Sequence, residues 1–301
     1  MSAGLPEGLL LVDKPAGPTS HDVVDRIRRA SGLRRVGHAG TLDPLASGLL
    51  PVVLGRATRL VRFLPASPKV YRGSLRLGHT TDTDDESGRI LSEHRGPLPP
   101  GTEVREAASR LLGLREQVPP AYSARRVRGR RLYEWARDGV SVEPPPAEIE
   151  VTRFDLESTA HPEVYEFVVE VSAGTYVRAL ARDLGRLLDC GAALVSLART
   201  RIGPLQLERA RCLPAGELDQ DWVLAGLIAL DQMPLTPPGL TLTDGELVRR
   251  FLAGAAVSLA HDDGSRGPCR VFDPGGALLG IGEAQADRLL PRVVLPPAAE
   301  E

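Results

Sequence analysis

The amino-acid sequence predicts a mixed α+β main domain with a small, barrel-like β appendage. Three observations point there. A chain of 301 residues is too long for one compact core and about right for two domains. Strand-like and helix-like segments are interspersed as far as residue 230, with no internal repeat. Past the Pro-rich stretch Pro234 to Gly239, one helical segment is followed only by short strand-like runs.

In order along the chain, Leu9 to Val12 is an apolar run closed by Asp13-Lys14-Pro15 and the turn pair Gly17-Pro18, and it reads as a strand. Thr19 or Ser20 caps a helix whose apolar positions Val23, Val24 and Ile27 share a face and which ends near Gly32. Gly37 to Gly48 is turn-rich, and Leu49 to Leu54 is strand-like. Lys69 to Leu77 alternates as a strand does, and Glu103 to Leu112 reads as a helix. Pro119-Pro120 opens an arginine-rich insertion, about residues 118–149, which closes at Pro144-Pro145-Pro146 and contains a short helix over Leu132 to Arg137. Glu148 to Glu157 and Val164 to Val171 are strands. Thr175 precedes an amphipathic helix with Val177, Leu180, Ala181, Leu184 and Leu188 on one side. Ala192 to Arg201 is a strand, and Trp222 to Leu230 is predicted helical. A helix over Asp244 to Ala253 and strands at Cys269 to Phe272, Leu278 to Gly282 and Val293 to Leu295 complete the appendage. The expected division is 1–233 for the main domain and 234–301 for the module.

Composition narrows the function classes. The chain is 42% hydrophobic and 25% charged, ordinary for a soluble globular protein. No apolar run approaches the roughly 20 residues of a membrane helix, and Met1 to Gly8 lacks the features of a secretory signal. Cys190, Cys212 and Cys269 are odd in number and far apart, which excludes a disulfide framework and a Cys-only zinc site. The expected address is a reducing cytoplasm, with no membrane partner. Net charge is −2, but its distribution is uneven. From Arg125 to Arg137 six Arg face one Glu, whereas from Gly239 onward six Arg face nine acids. Of the 37 basic residues only Lys14 and Lys69 are lysine, so positive charge comes as planar forks suited to phosphates and base faces.

The densest chemistry lies in Gly37-His38-Ala39-Gly40-Thr41-Leu42-Asp43-Pro44-Leu45-Ala46-Ser47-Gly48. Glycines at 37, 40 and 48 permit tight backbone geometry, and Pro44 pushes Asp43 toward an extended conformation. Such a loop presents a carboxylate as nucleophile or base, or is simply an Asp-Pro turn. Arg178 falls in the first turn of the helix after Gly174-Thr175, where a cation opposes the helix dipole. It meets a phosphate, pairs with a carboxylate such as Asp43, or stays solvated. Tyr71 and Tyr176, two of five tyrosines, are candidates for stacking on a base or for core packing. The acidic stretch Thr80 to Gly88 lacks the register and distal glutamate of a calcium loop, and can instead set an acid against an active-site Arg. The histidines at 21, 38, 79, 94, 161 and 261 show no metal-ligand spacing. No P-loop, Gly-x-Ser-x-Gly elbow or Gly-x-Gly-x-x-Gly is present.

Several of these stretches, in order, resemble the TruB family of tRNA pseudouridine synthases. Leu11-Val12-Asp13-Lys14-Pro15 with Thr19-Ser20-His21-Asp22 is similar to its opening motif, and Gly37 to Gly48, continuing through Gly55-Arg56-Ala57-Thr58, to its catalytic-aspartate motif. Tyr71 with Gly78, Thr81-Asp82-Thr83-Asp84, Pro119-Pro120-Ala121-Tyr122-Ser123-Ala124, Gly174-Thr175-Tyr176-Val177-Arg178 and Cys190-Gly191-Ala192 continue the match across roughly residues 8 to 230. The tail, with Val271-Phe272-Asp273-Pro274-Gly275 and Gly280-Ile281-Gly282-Glu283, resembles a PUA RNA-binding domain.

The resemblance implies a mixed, largely antiparallel central sheet flanked by helices, with a PUA-like C-terminal module. It implies isomerisation of uridine to pseudouridine at position 55 in the T-loop of tRNA, by a monomer with no cofactor, metal or protein partner. On this likeness Asp43 is the nucleophile, Arg178 its salt-bridge partner and Tyr71 the platform for the target uracil. His38 packs where the loop base is displaced, Tyr176 and Leu197 line the uracil pocket, Lys14 and Pro15 shape its wall, and Asp85 joins the polar network around Arg178. Arg125, Arg126, Arg128, Arg130 and Arg131 hold the RNA backbone. Arg126 stands where the family usually has Lys, so charge is kept while geometry changes. Two rival readings are an RNA-folding protein that acts without chemistry and a carboxylate N-glycosidase. The latter usually needs a second acid to activate water, and the main motif holds only Asp43.

Overall fold

The computed structural model describes residues 7–123, 125–140, 142–259 and 266–296; Ala124 and His261 of the sequence analysis lie outside them. β1 (Gly8–Lys14) is the continuous apolar run expected of a strand covered on both sides. Leu10 and Val12 enter one core, Leu9 and Leu11 another. α1 (Ser20–Ser31) begins at a capping box, in which Thr19 Oγ1 accepts from the Asp22 amide and the Asp22 carboxylate accepts from the Thr19 amide. It ends at Gly32, which adopts φ 69°. β2 (Val36–His38) and β3 (Ser47–Leu54) flank the turn-rich loop, and a 3-10 segment, Gly55–Phe63, follows. β4 (Lys69–Leu77), the short pair β5 (His79–Thr81) and β6 (Ile90–Glu93), α2 (Gly101–Ser109) and β7 (Gly113–Gln117) lead to the insertion. There β8 (Arg126–Val127) and β9 (Arg130–Arg131) form a small hairpin before α3 (Leu132–Arg137).

β10 (Ala147–Ser158), β11 (Val164–Val171), α4 (Val177–Leu187) and β12 (Ala192–Ile202) follow within a few residues of their predicted bounds. β13 (Leu205–Gln206), β14 (Arg211–Cys212), α5 (Gln220–Leu224) and β15 (Leu227–Ala229) close the main sheet. The predicted helix over Trp222 to Leu230 is therefore only half right. α5 stops at Leu224, and Leu227, Ile228 and Ala229 pair antiparallel with Leu10, Leu9 and Gly8. The open edge of β1 satisfies the backbone of that run, and tertiary pairing overrides the local helical pattern.

The eleven-stranded sheet has the spine β14-β1-β3-β12-β4-β11-β10-β7. β1 with β14 and β3 with β12 are parallel, and the remaining pairs are antiparallel, the mixed and largely antiparallel sheet expected. One face packs on α1, α2 and α4 through residues such as Val23, Ile27, Val104, Leu180 and Leu184. Beside the register shift between Leu194 and Ser196 in the β12–β4 pairing, Gly73 lets the two strands approach closely. A Cβ at Gly73 would overlap the Ser196 carbonyl oxygen and lie 2.9 Å from Phe167 Cζ.

The C-terminal β unit contains β16 (Gly239–Thr241), α6 (Gly245–Leu252), β17 (Val257–Ser258), β18 (Arg266–Phe272), β19 (Leu278–Gln285) and β20 (Arg288–Val294). Its strand order is β16-β18-β19-β20-β17. Leu278, Ile281 and Val293 share a core with Leu9 and Leu49 of the main sheet, Leu60 of the 3-10 segment and Met233 of the connection between the units, so the two units are joined by apolar packing.

Candidate active site

The turn-rich loop is pinned on both sides of Asp43. Ser20 Oγ, in the first turn of α1, accepts from the Leu42 amide at 2.8 Å and donates to the Leu42 carbonyl at 3.0 Å. The Gly17 amide donates to the Pro44 carbonyl at 2.8 Å, and the Ala46 amide to the Asp43 carbonyl at 3.0 Å. Arg199 of β12, fully buried, donates from Nη2 to the Gly40 carbonyl at 2.9 Å, from Nη1 to that of Thr41 at 3.4 Å and from Nε to that of Leu49 at 2.9 Å. Gly48 holds φ 95°, and a Cβ there would collide with the Arg199 backbone, so the loop's exit needs glycine. Leu42 is buried and Leu45 half-buried. The Asp43 side chain, 39% exposed, is the accessible group on a fixed frame.

Arg178 meets it from α4. Its side chain is 5% exposed, and every arm of the guanidinium is used. Nε donates to Asp43 Oδ2 at 2.9 Å, Nη1 to the Thr83 carbonyl at 2.8 Å and Nη2 to the Tyr122 carbonyl at 2.9 Å. Asp85 Oδ2 lies 3.7 Å from Nε. The cation at the start of α4 thus has its two anions: no acid occupies the helix's own first turn, and Asp43 and Asp85 supply the negative charge that the helix dipole favours there. Asp85 is oriented in turn by Thr83 Oγ1 and by the Ser87 amide and hydroxyl. Gln117 holds the entry to α4, accepting from the Tyr176 amide and donating to the Tyr176 carbonyl.

These groups surround a cavity of about 200 Å³ lined by Asp43, Tyr71, Tyr176, Arg178 and Leu197, together with Thr41, Leu42, Ala46, Lys69, Ser123, Gly174, Thr175 and Val177. Tyr71 is buried on β4, opposite Arg199 and Val169 in the sheet register, and Leu197 sits between two irregularities in the β12–β4 register. A wider groove of about 610 Å³ runs over the open sheet face, where Arg72 and Arg153 are set among Asp155, Glu157 and Glu166. Asp43 and Arg178 lie outside it, and its three acids outnumber its two arginines. Among the described residues no group of His, Cys, Asp and Glu is arranged to hold a metal, and no helix is long and apolar enough to cross a membrane.

The remaining predicted residues are placed differently. Lys14 and Pro15 do not line the cavity. Lys14 is fully buried at the end of β1, where its ammonium needs acceptors and finds the Pro15 and Pro18 carbonyls at 2.9 and 2.8 Å. Burial lowers its pKa to about 8, against the opposing pull of Asp43. Pro15 is exposed beside it. His38 stands on β2, also outside the cavity lining, its Nδ1 buried without a partner among the described residues. Burial first, then the Arg199 cation, lowers its pKa, which favours the neutral imidazole. In the insertion Arg126, Arg128 and Arg131 are exposed and Arg125 is half-buried. Arg130 is engaged internally, bonded to Asp138 at 2.6 Å, near Glu134, and stacked 4.7 Å over the Trp135 ring.

Sequence reasoning missed Lys69, Ser123 and Arg199. Lys69 lines the cavity, and burial lowers its pKa to about 8, with Arg199 adding to the effect. The signal was present in the composition: the two lysines of an arginine-rich chain both lie near Asp43, Lys14 buried and Lys69 half-buried in the cavity that Asp43 lines. The Ser123 hydroxyl is buried without a partner among the described residues. Nothing in local pattern separated Arg199 from its neighbour Arg201, which pairs on the sheet surface with Glu170.

Residues 28–177 match the family model described as TruB family pseudouridylate synthase, N-terminal domain, and residues 238–295 match Pseudouridine synthase II TruB, C-terminal. The tRNA pseudouridine synthase B of Syntrophobacter fumaroxidans is 44% identical over 252 residues, 83% of this chain and 82% of that protein. The protein of the same name from Thermobifida fusca is 40% identical over 300 residues, 96% of this chain and 98% of its own. Among solved structures, a chain in the crystal structure of a Cbf5-Nop10-Gar1 complex superposes with a TM-score of 0.71 at 24% identity, covering 97% of this chain and 86% of that one. At that identity the likeness speaks to the fold, a mixed sheet with helices and a separate β unit. Two family models and near-full-length relatives at this level of identity lead to one conclusion: the chain belongs to the TruB family of pseudouridylate synthases.

Proposed function

We propose that the protein isomerises uridine to pseudouridine at position 55 in the T-loop of tRNA, with Asp43 as the nucleophile toward a flipped-out uridine. The observation that carries this reading is the Asp43 carboxylate 2.9 Å from a nearly buried Arg178, at the wall of a cavity that also holds two tyrosines and Leu197. The guanidinium donates to the carboxylate and fixes its direction. The names of the relatives, tRNA pseudouridine synthase B, supply the substrate class.

In the reaction the N1–C1′ bond breaks, a C5–C1′ bond forms, C5 loses its proton and N1 gains one, with no change in oxidation state. Asp43 acts by covalent carboxylate catalysis at C6 or C1′, or by steering a glycal route. Everting the base costs a few kcal/mol, and stacking on Tyr71 returns about 1–3 kcal/mol. Tyr176 and Leu197 line the uracil pocket, and neutral His38 packs where the loop base is displaced. Lys14 and Pro15 support the site from behind, and Asp85 steadies Arg178. The exposed Arg126, Arg128 and Arg131, with Arg125, hold backbone phosphates, while Arg130 braces the insertion. In this reading residues 1–233 are the catalytic domain, 234–301 an RNA-binding module, and a monomer takes the T-stem–loop as partner.

The test is pseudouridine mapping in T-stem–loop RNA incubated with the protein. Modification at a single uridine by the parent, its loss in Asp43→Asn, and RNA affinity kept within about tenfold (1.4 kcal/mol) are expected. Pseudouridine formed by the Asn variant would refute the assignment of Asp43; binding and refolding of tRNA by a parent that makes none would leave the RNA-folding reading.

A further inference from the structure

α4 carries a second, mostly covered arginine one turn beyond Arg178, and the chemistry above does not use it. Arg182 Nη1 lies 3.1 Å from Asp84 Oδ2, and Nη2 donates to the Val118 carbonyl at 2.8 Å. Nε and Nη2 both face Asp183 Oδ1 at 3.1 Å. The side chains of Arg182 and Asp84 are 13% and 14% exposed. Arg115 and Arg186 approach Asp183 from outside, at 4.0 and 3.9 Å.

Asp84 separates the two residues of the acidic loop that touch Arg178. On one side is Thr83, whose carbonyl accepts from Nη1; on the other is Asp85, 3.7 Å from Nε. Asp84 has φ 61°, the left-handed region that Asp tolerates better than most side chains, and its carbonyl accepts from the Leu194 amide at 3.1 Å. Burial pushes its carboxyl upward, while Arg182 and then Arg178 pull the other way. Val118 and Tyr122, gripped by Arg182 and Arg178, bracket Pro119-Pro120 at the root of the arginine-rich insertion. Two guanidiniums on one helix therefore tie the same two segments together, the acidic loop and the insertion root, and only one of them also holds Asp43.

We propose that Arg182 and Asp84 form a positioning pair that keeps the acidic loop and the insertion root in register with Arg178, so that Asp43 is aligned when the insertion engages RNA. This rests on the reading of Asp43 given above. A buried ion pair adds little net stability compared with apolar packing; here it selects one geometry of a left-handed turn.

The experiment uses the full chain and T-stem–loop RNA, with single-turnover rate at saturating enzyme, RNA Kd and amide hydrogen exchange measured together. Asp84→Asn keeps the turn but removes the charge, and Asp84→Gly relieves the backbone while removing the side chain. Both are expected to slow the rate at least tenfold with Kd within threefold of the parent, and to speed exchange of the Leu194 amide. Arg182→Lys keeps the charge and should lose less than Arg182→Gln. The double variant Asp84→Asn with Arg182→Gln, which leaves no lone buried charge should a single variant fail to fold, is expected to be no slower than the worse single change. A parent-like rate in Asp84→Gly, losses that multiply in the double variant, or a Kd that weakens in step with the rate would overturn the proposal. A parent that forms no pseudouridine would instead refute the function, and the exchange at Leu194 would still decide whether the pair holds the loop.

Discussion

Replacing Arg199 by lysine probes how firmly the frame behind Asp43 is built. The arginine reaches three carbonyls, those of Gly40, Thr41 and Leu49, from a fully buried position. A lysine keeps the charge but has one nitrogen on a flexible stem; its ammonium can serve two carbonyls, as that of Lys14 does, so at least one of the three carbonyls loses its partner. Each buried carbonyl left unsatisfied costs about 1–3 kcal/mol, which puts the loss of one or two at about 1–6 kcal/mol against a typical total of about 5–15. In urea unfolding the midpoint should fall by about 0.3–3 M with the slope unchanged, taking a slope of about 2–3 kcal/mol/M for a chain of this size. Because Gly40 and Thr41 lead directly into Asp43, the single-turnover rate should also drop at least tenfold at temperatures where the variant stays folded. A midpoint within 0.3 M of the parent (~1 kcal/mol) would show that the three bonds do not hold the loop, and the reasoning would fail.

Three further outcomes are expected. Gly73→Ala forces a methyl into the Ser196 carbonyl, an overlap no rotamer can relieve. It should cost on the order of 3 kcal/mol or more, lowering the thermal midpoint and, by displacing Leu197, the rate; a parent-like midpoint would mean that β4 and β12 can separate freely. Lys14 has a pKa of about 8 in the fold and an ordinary value of 10.5, so between those values the unfolded chain holds a proton that the native state has released. Native stability should therefore rise with pH across that window, by on the order of 3 kcal/mol from this group, read as the difference between parent and Lys14→Met; a flat difference from pH 8 to about 10.5 would contradict it. Arg126→Ala with Arg128→Ala removes two exposed cations and should weaken T-stem–loop binding and reduce its salt slope by about two. An unchanged slope would take the insertion off the contact surface.

Much of this was legible in the chain because local rules and tertiary structure agree. The Thr19 cap and Gly32 stop bound α1, alternation bounds β4 and β11, and a cation in the first turn of α4 called for an anion that Asp43 and Asp85 provide. The failures share a cause, since each depends on a partner distant in sequence. Leu227 to Ala229 is a strand because β1 offers an edge. Arg199 differs from Arg201 only in which side of β12 is closed over. Asp84 is one acid among several in the sequence, and only its pairing with Arg182, one helical turn from Arg178, singles it out.

The most direct measurement is a structure of the protein bound to T-stem–loop RNA. One uridine should be turned out of its stack into the cavity, its ring against Tyr71 and its C6 or C1′ about 3–3.5 Å from the Asp43 carboxylate, with Arg178 still bonded to that carboxylate. A target base left stacked in its loop, or Asp43 and Arg178 parted with RNA in place, would contradict it.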